Sequence, residues 1–426
     1  MKILRIGICV LLTFAVLAFG AVEEWSQGVL EVCFAALLVI WALRTFAWKQ
    51  EVITFSPLLP PLLVFLLLTL VQLIFHRTAS PYDTRMQLQL LIVYIILLVL
   101  LPQAYYRMNH WRGLLWFLMS LGFFVSVFGI LQYLTFNGKL YWFRVMRYGG
   151  QAFGPYVNRN HFAGFAEILI PVALVPLVLG KVRRERLFLV GLFAVVPIVA
   201  LLLSASRAGI ISFAVQLLIL FSLLLVRRLQ SKYMLAGGVL VLCAILAVSW
   251  IGVQEVLQRF ANYQSMDVTG GKRASMRHDT FRIFLEHPVL GTGLGTLQMV
   301  FPPYESNYDA RIVNHTHNDY LEVLAETGLA GGICCLWFLA ILFIESVKGL
   351  KDLGGSFGAA LNLSGLVGCC GLLVHSLVDF NLHIPANALL FFVSAYLATA
   401  RPQTSTPETP ESAPPRRKVR KVEASQ

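Results

Sequence analysis

The chain is 426 residues long, 58% hydrophobic and only 13% charged, with a mean hydropathy of +0.73. A soluble domain carries nearer a quarter charged residues, so these figures exclude a soluble enzyme and indicate a polytopic membrane protein. The net charge of +12 does not point to nucleic acid, because the basic residues sit in short groups between apolar runs, the pattern of topology signalling.

A helix that crosses a bilayer needs about 20 mostly apolar residues. Runs near 5–22, 27–46, 56–76, 86–104, 112–133, 161–180, 187–204, 208–226, 233–252, 325–345, 357–376 and 384–400 predict an all-α protein with about twelve transmembrane helices. The first run resembles a signal peptide, with Lys2 and Arg5 ahead of its apolar core and small residues near Gly20. Alternate loops carry Lys2 and Arg5, Arg44 and Lys49, Arg107 and Arg112, the cluster 181–186, the cluster 227–232, Lys348 and Lys351, and a basic tail. These groups hold most of the 34 Lys and Arg, which places them and both termini in the cytoplasm. The expected organisation is a bundle of nine spans over 1–252, a large outer loop with amphipathic helices over 253–324, three spans over 325–400, and a disordered tail over 401–426. All seven cysteines lie in apolar runs without CxxC spacing, so neither a disulfide framework nor a zinc site is expected.

By this topology, eight of the nine histidines, all but His110, fall on the outer side. There they join four polar groupings that are far apart in sequence. In "VNHTHNDYLEVLAETGLAGG", Thr316 followed by Asp319 fits a capping box with a helix starting at His317. Asn318, Asp319, Glu322 and Glu326 then share a polar face, either solvated or functional. A neutral imidazole in the first turn is a ready general base, and His315 and His317 are both candidates. "SASRAG" puts Arg207 at the outer mouth of an apolar helix, to snorkel or to bind an anion bidentately beside helix N-terminal amides, with Ser204 and Ser206 adding hydroxyls.

"GGKRASMRHDTFRIFLEHPVLGTGLG" carries Lys272, Arg273, Arg277 and Arg282, with Met276, Phe281, Phe284 and Leu285 as an apolar stripe. This predicts an amphipathic helix on the outer surface whose charge meets lipid headgroups or a diphosphate. "GTGLG" lacks nucleotide-loop spacing and reads as a turn. "GPYVNRNHFAG" offers Asn158, Asn160 and His161 at a helix start, to cap it or to bind sugar hydroxyls. "HSLVDFNLHIPAN" adds His375, Asp379, Asn381 and His383 on an outer turn. No ligand spacing among His278, Asp279, His315, His317, His375 and His383 supports a metal site, and no metal or cofactor is expected.

Together these stretches resemble the O-antigen ligase and O-antigen polymerase superfamily of bacterial membrane glycosyltransferases. "HNDYLEVLAETGLAG" is similar to the ligase pattern of His-Asn, nine residues, Gly, two residues, Gly, with Gly328 and Gly331 in register. "SASRAG" is similar to the family's Ser-Arg-Gly, with Ala208 at the glycine. "RASMRHDTFRIFLEHPVLGTGLG" is similar to its Arg-x3-Trp…His-Pro-x-x-Gly-x-Gly run, with Arg277 at the tryptophan. The matching residues span about 150 to 400.

The resemblance implies a C-type glycosyltransferase-like fold and an undecaprenyl-diphosphate-linked glycan donor. It implies an acceptor hydroxyl on lipid A-core, glycan or protein, and a periplasm-facing site in the inner membrane. By it, Arg207 and Arg273 stabilise the leaving diphosphate without a metal, and His317 deprotonates the acceptor for an inverting attack. Asn158, Asn160, His161, Arg277, Arg282, His315, Asn318, Asp319 and Asp379 are the expected substrate-binding residues. Membrane lipids are partners and nucleic acid is not. A polymerase or a protein O-oligosaccharyltransferase of the same superfamily is the near alternative. A lipid-linked-sugar flippase is the distant one, for it calls for ionisable residues mid-helix, whereas Glu167 and Glu345 read as lying near span ends.

Overall fold

In lipid every backbone polar group has to be satisfied within its own segment, so long apolar runs become helices. The computed structural model describes residues 2–48, 53–145, 152–227, 263–308, 312–353 and 355–401, with isolated positions between 235 and 246. Its first eight helices are α1 (Lys2–Leu17), α2 (Glu24–Trp48), α3 (Leu59–Ile74), α4 (Pro81–Ala104), α5 (Met108–Leu134), α6 (Arg159–Val178), α7 (Leu187–Leu203) and α8 (Arg207–Val226). They are followed by α9 (Tyr263–Glu286), α10 (Asp319–Gly349), α11 (Phe357–His375) and α12 (Pro385–Thr399). Every predicted run outside 233–252 is a helix; that ninth run lies largely outside the described residues, as does the tail from 402. The protein is an all-α polytopic membrane protein, with eight described helices long and apolar enough to cross a membrane and two shorter apolar ones, α3 and α12.

The centre of the bundle is α6. Its apolar window is buried throughout, and it packs against α5, α7, α8, α11 and α12. Small residues allow that crowding. A Cβ on Gly209 of α8 would come within 2.5 Å of the Ala163 Cβ. A short hairpin, Lys139–Leu140 against Arg144–Val145, follows α5, and Arg144 ion-pairs with Glu23.

Two expectations about the segment between α8 and α10 change. In α9 the buried face is Met276, Asp279, Thr280 and Ile283, while Phe281 and Leu285 are exposed. Met276 and Ile283 pack with Leu297, Phe301, Val313 and Ala325 into a small second core, so the helix is held by those residues and not by the Phe281–Leu285 stripe. Helix α10 begins at Asp319 and not at His317. Asn318 caps it by accepting from the Leu321 N–H, leaving Thr316 free to donate its hydroxyl elsewhere.

Helix α10 breaks at Gly328, whose φ of 64° and ψ of −163° only glycine adopts readily. The turn after α9 fills the break. Thr292 and Gly293 donate their N–H groups to the carbonyls of Ala325 and Glu326, and Leu329 and Ala330 donate to Pro288 and Val289. Gly291 lies against the backbone of Glu326 and Thr327, and Gly328 against that of Val289 and Leu290, with no room for a Cβ at either. The Glu326 carboxylate accepts from Gly295 N at 2.8 Å and Leu297 N at 2.9 Å. The "GTGLG" turn is therefore a backbone splint that joins the arginine-bearing α9 to α10, the helix that follows His315 and His317.

Candidate active site

The site is assembled from the starts of α6, α8 and α10 and from the turn between α11 and α12. His317 precedes the cap of α10 in a left-handed backbone conformation, with φ of 54°. That geometry costs an L-residue about 1–2 kcal/mol, so the surrounding structure has to impose it. Its Nδ1 lies 3.2 Å from Oδ1 of Asp379. With Asp379 as acceptor, Nδ1 carries the proton and Nε2 keeps a lone pair. The imidazole is 22% exposed, and Nε2 has no hydrogen-bond partner among the described residues.

Asp379 is fully buried and accepts at both oxygens. Asn160 Nδ2 donates to Oδ2 at 2.6 Å, and Phe380 N donates to Oδ1 at 2.9 Å. Burial by itself raises a carboxyl, but the His317 hydrogen bond and the neighbouring His161 and His375 outweigh it and hold Asp379 well below the usual carboxylate range. An ionised Asp379 suits a partner that has to stabilise an imidazolium. Asn160 links onward, for its Oδ1 accepts from Ser206 Oγ at 2.9 Å. Ser206 is the N-cap of α8 and accepts from Gly209 N, so Arg207 is the first residue of that helix, half-buried at its mouth. Ala205, just before, is also left-handed, with φ of 49°.

Arg273 reaches this group, donating to the carbonyl of Val378, next to Asp379, at 3.4 Å. Arg277 is half-buried on α9. Arg282 is exposed and lies 5.7 Å from the Tyr304 ring, on a different contact. Asn158 caps α6 by accepting from Asn160 N. His161 is buried, with Nε2 3.9 Å from Asp379, beyond hydrogen-bond reach. Asn318 donates to the Leu377 carbonyl at 2.9 Å, and the Asp319 N–H donates to that of Ser376, so the turn after α11 is fastened to the start of α10.

The acids of α10 are not solvated. Asp319, Glu322 and Glu326 are each 1–2% exposed. Asp319 Oδ1 lies 2.7 Å from His383 Nδ1, and Glu322 Oε1 lies 2.7 Å from His315 Nδ1 and 3.3 Å from His383 Nε2. The other Glu322 oxygen accepts from the N–H and hydroxyl of Thr316. Burial lowers the His383 imidazole, but Glu322 and Asp319 prevail and push it up to about 10. The donor atoms of His315, Glu322 and His383 lie within 4.8 Å of one another, the described set nearest to a metal-ligand group. That one carboxylate oxygen facing two imidazoles already forms a satisfied ion-pair network.

Three rings pack on Phe380: His315 stacked at 4.4 Å, and His161 and His317 edge-on at 4.8 and 5.0 Å. Sequence reading missed Phe380, and it missed Glu322 and His383 as a pair because their partners lie some sixty residues apart. It also misplaced Glu167, which lies two turns inside α6, fully buried, with His375 Nδ1 at 2.9 Å.

Residues 190–336 match a family model described as O-antigen ligase, a stretch that holds Arg207, Arg273 and His317. No curated protein matches the chain. The match indicates a glycosyltransferase-type enzyme acting on lipid-linked glycan, and it agrees with motifs that also extend beyond it at both ends. The family match and the motifs point the same way: within this polytopic membrane protein, residues 190–336 are similar to the O-antigen ligase family.

Proposed function

We propose that this protein moves a glycan from an undecaprenyl-diphosphate carrier to a hydroxyl acceptor at the periplasmic face of the bacterial inner membrane. In this reading His317 Nε2 takes the acceptor proton as the acceptor oxygen bonds to the anomeric carbon. The bond from that carbon to the diphosphate oxygen breaks, and attack opposite the leaving group inverts the centre. Asp379 fixes the tautomer of His317 and balances the imidazolium that forms. Arg207 and Arg273 meet the charge that develops on the diphosphate. The observation that carries the reading is the His317–Asp379 couple, with its second nitrogen open, beside the Arg273 contact at Val378.

Glycan transfer in membranes tests it, with wild type compared to His317→Ala and Arg207→Ala at matched expression. Loss in both, with donor binding weakened mainly by the arginine change, supports the assignment. Full transfer in both overturns it.

A further inference from the structure

A carboxylate sealed within a membrane bundle is expensive, and the chemistry proposed above does not use Glu167. Glu167 and His375 are both fully buried, with His375 Nδ1 2.9 Å from Glu167 Oε1. Glu167 lies eight residues past Arg159, about 12 Å along α6. Replacing a buried ion pair by well-packed apolar residues is often neutral or even stabilising, so stability alone is a weak reason to keep this one.

Its neighbours suggest another reason. His375 closes α11, and its carbonyl accepts the N–H groups of Val378 and Asp379 at 3.0 and 3.1 Å. The pair therefore ties α6 to the base of the turn that presents Asp379. On the other side Glu167 touches the first turn of α8. A Cβ on Gly209 would lie 3.2 Å from both Glu167 Oε1 and Ser206 Oγ. Ser206 caps α8 directly before Arg207 and donates to Asn160, which donates to Asp379. Below the pair, Gln216 Nε2 of α8 donates to the carbonyls of Glu167 and Val367, both at 2.9 Å, and laces the same three helices a second time.

We infer that Glu167 and His375 are positioning residues: they set the register among α6, α8 and α11 that ties the Ser206 cap, and with it the α8 start that carries Arg207, to the Asn160–Asp379–His317 chain. The inference rests on the transferase reading. It requires the hydrogen bond and its length, not a proton delivered to substrate.

The test separates positioning from mere stability. In full-length protein, Glu167→Leu and His375→Leu are combined, and thermal unfolding in detergent is measured beside transfer from an undecaprenyl-diphosphate-linked glycan. The expected result is an unfolding temperature at or above wild type with kcat lowered at least tenfold and donor KM changed less than threefold. Glu167→Gln, whose amide oxygen still accepts from His375 Nδ1, is expected to keep transfer within threefold of wild type. Wild-type kcat in the folded double variant overturns the inference, and so does a tenfold loss in Glu167→Gln. If the double variant yields no folded protein, Glu167→Gln beside Glu167→Ala decides: retention in the first and tenfold loss in the second support positioning, and equal rates overturn it. His317→Ala is measured alongside. Full transfer by that variant sinks the transferase reading itself, whereas an inactive His317→Ala beside a fully active double variant sinks only the positioning role.

Discussion

His317 and His383 each face an aspartate through Nδ1, at 3.2 and 2.7 Å, yet they are prepared for opposite tasks. The second nitrogen of His383 faces Glu322 at 3.3 Å, and two carboxylates push the imidazole up to about 10, so it stays cationic near neutral pH. His317 faces one carboxylate, and its Nε2 has no partner among the described residues. Residue type does not distinguish the two, and neither does proximity to acid. The difference lies in how many ring atoms are already committed, which determines whether an imidazole can accept a proton or only hold a structure together.

Five substitutions sharpen or break that contrast. His317→Ala is expected to lower transfer by about 10²–10⁴, the usual worth of a positioned base, as measured by initial rates. Asp379→Asn keeps the shape but can donate where the carboxylate accepts. It favours the wrong His317 tautomer, and a drop in kcat on the order of 10² is expected, with donor KM little changed. If Asp379→Asn transfers normally, the couple is not a functional unit.

Arg273→Ala is expected to cost more than Arg282→Ala, roughly tenfold or beyond against about twofold, because only Arg273 reaches the Asp379 turn. Equal losses would move the anion site outward along α9. His383→Gln is expected to act on stability and to change transfer least. The folded imidazole titrates above its unfolded value of about 6.5, so its stabilising contribution is full below that pH and disappears as pH rises through about 10. Wild type should lose unfolding temperature across that window, and the variant should show a flatter profile. A variant with the wild-type profile would show that His383 is not the cation.

The helices were legible because a lipid environment translates hydropathy into helix with few alternatives. Arg207 at a helix mouth and His317 near the start of another could be read for the same reason, since both sit where an apolar run begins. Their partners could not. Asp379 is 62 residues from His317, and no local pattern links them. The Asp319–Glu322–Glu326 face reads as a wet surface until the turn carrying His383 folds over it. Thr316 and Asp319 make a plausible capping box, which predicts a helix start at His317. Asn318 took the cap instead and released Thr316 to Glu322. Local propensity was outvoted by contacts that only the folded chain supplies.

The enclosure of α6 has a consequence for how the protein is made. Its flanks are covered by α5, α7 and α8 and also by α11 and α12, which begin about 180 and 210 residues later in the chain. With Glu167 inside and Pro171 and Pro176 interrupting its backbone pattern, α6 is a poor lodger in bare lipid during synthesis. Until the ribosome has delivered the last two helices, the most functionally connected segment of the molecule lacks its final walls. Assembly quality control therefore has a natural checkpoint at the C-terminal end, and a chain halted before α11 should be recognised as unfinished however well its earlier spans have inserted.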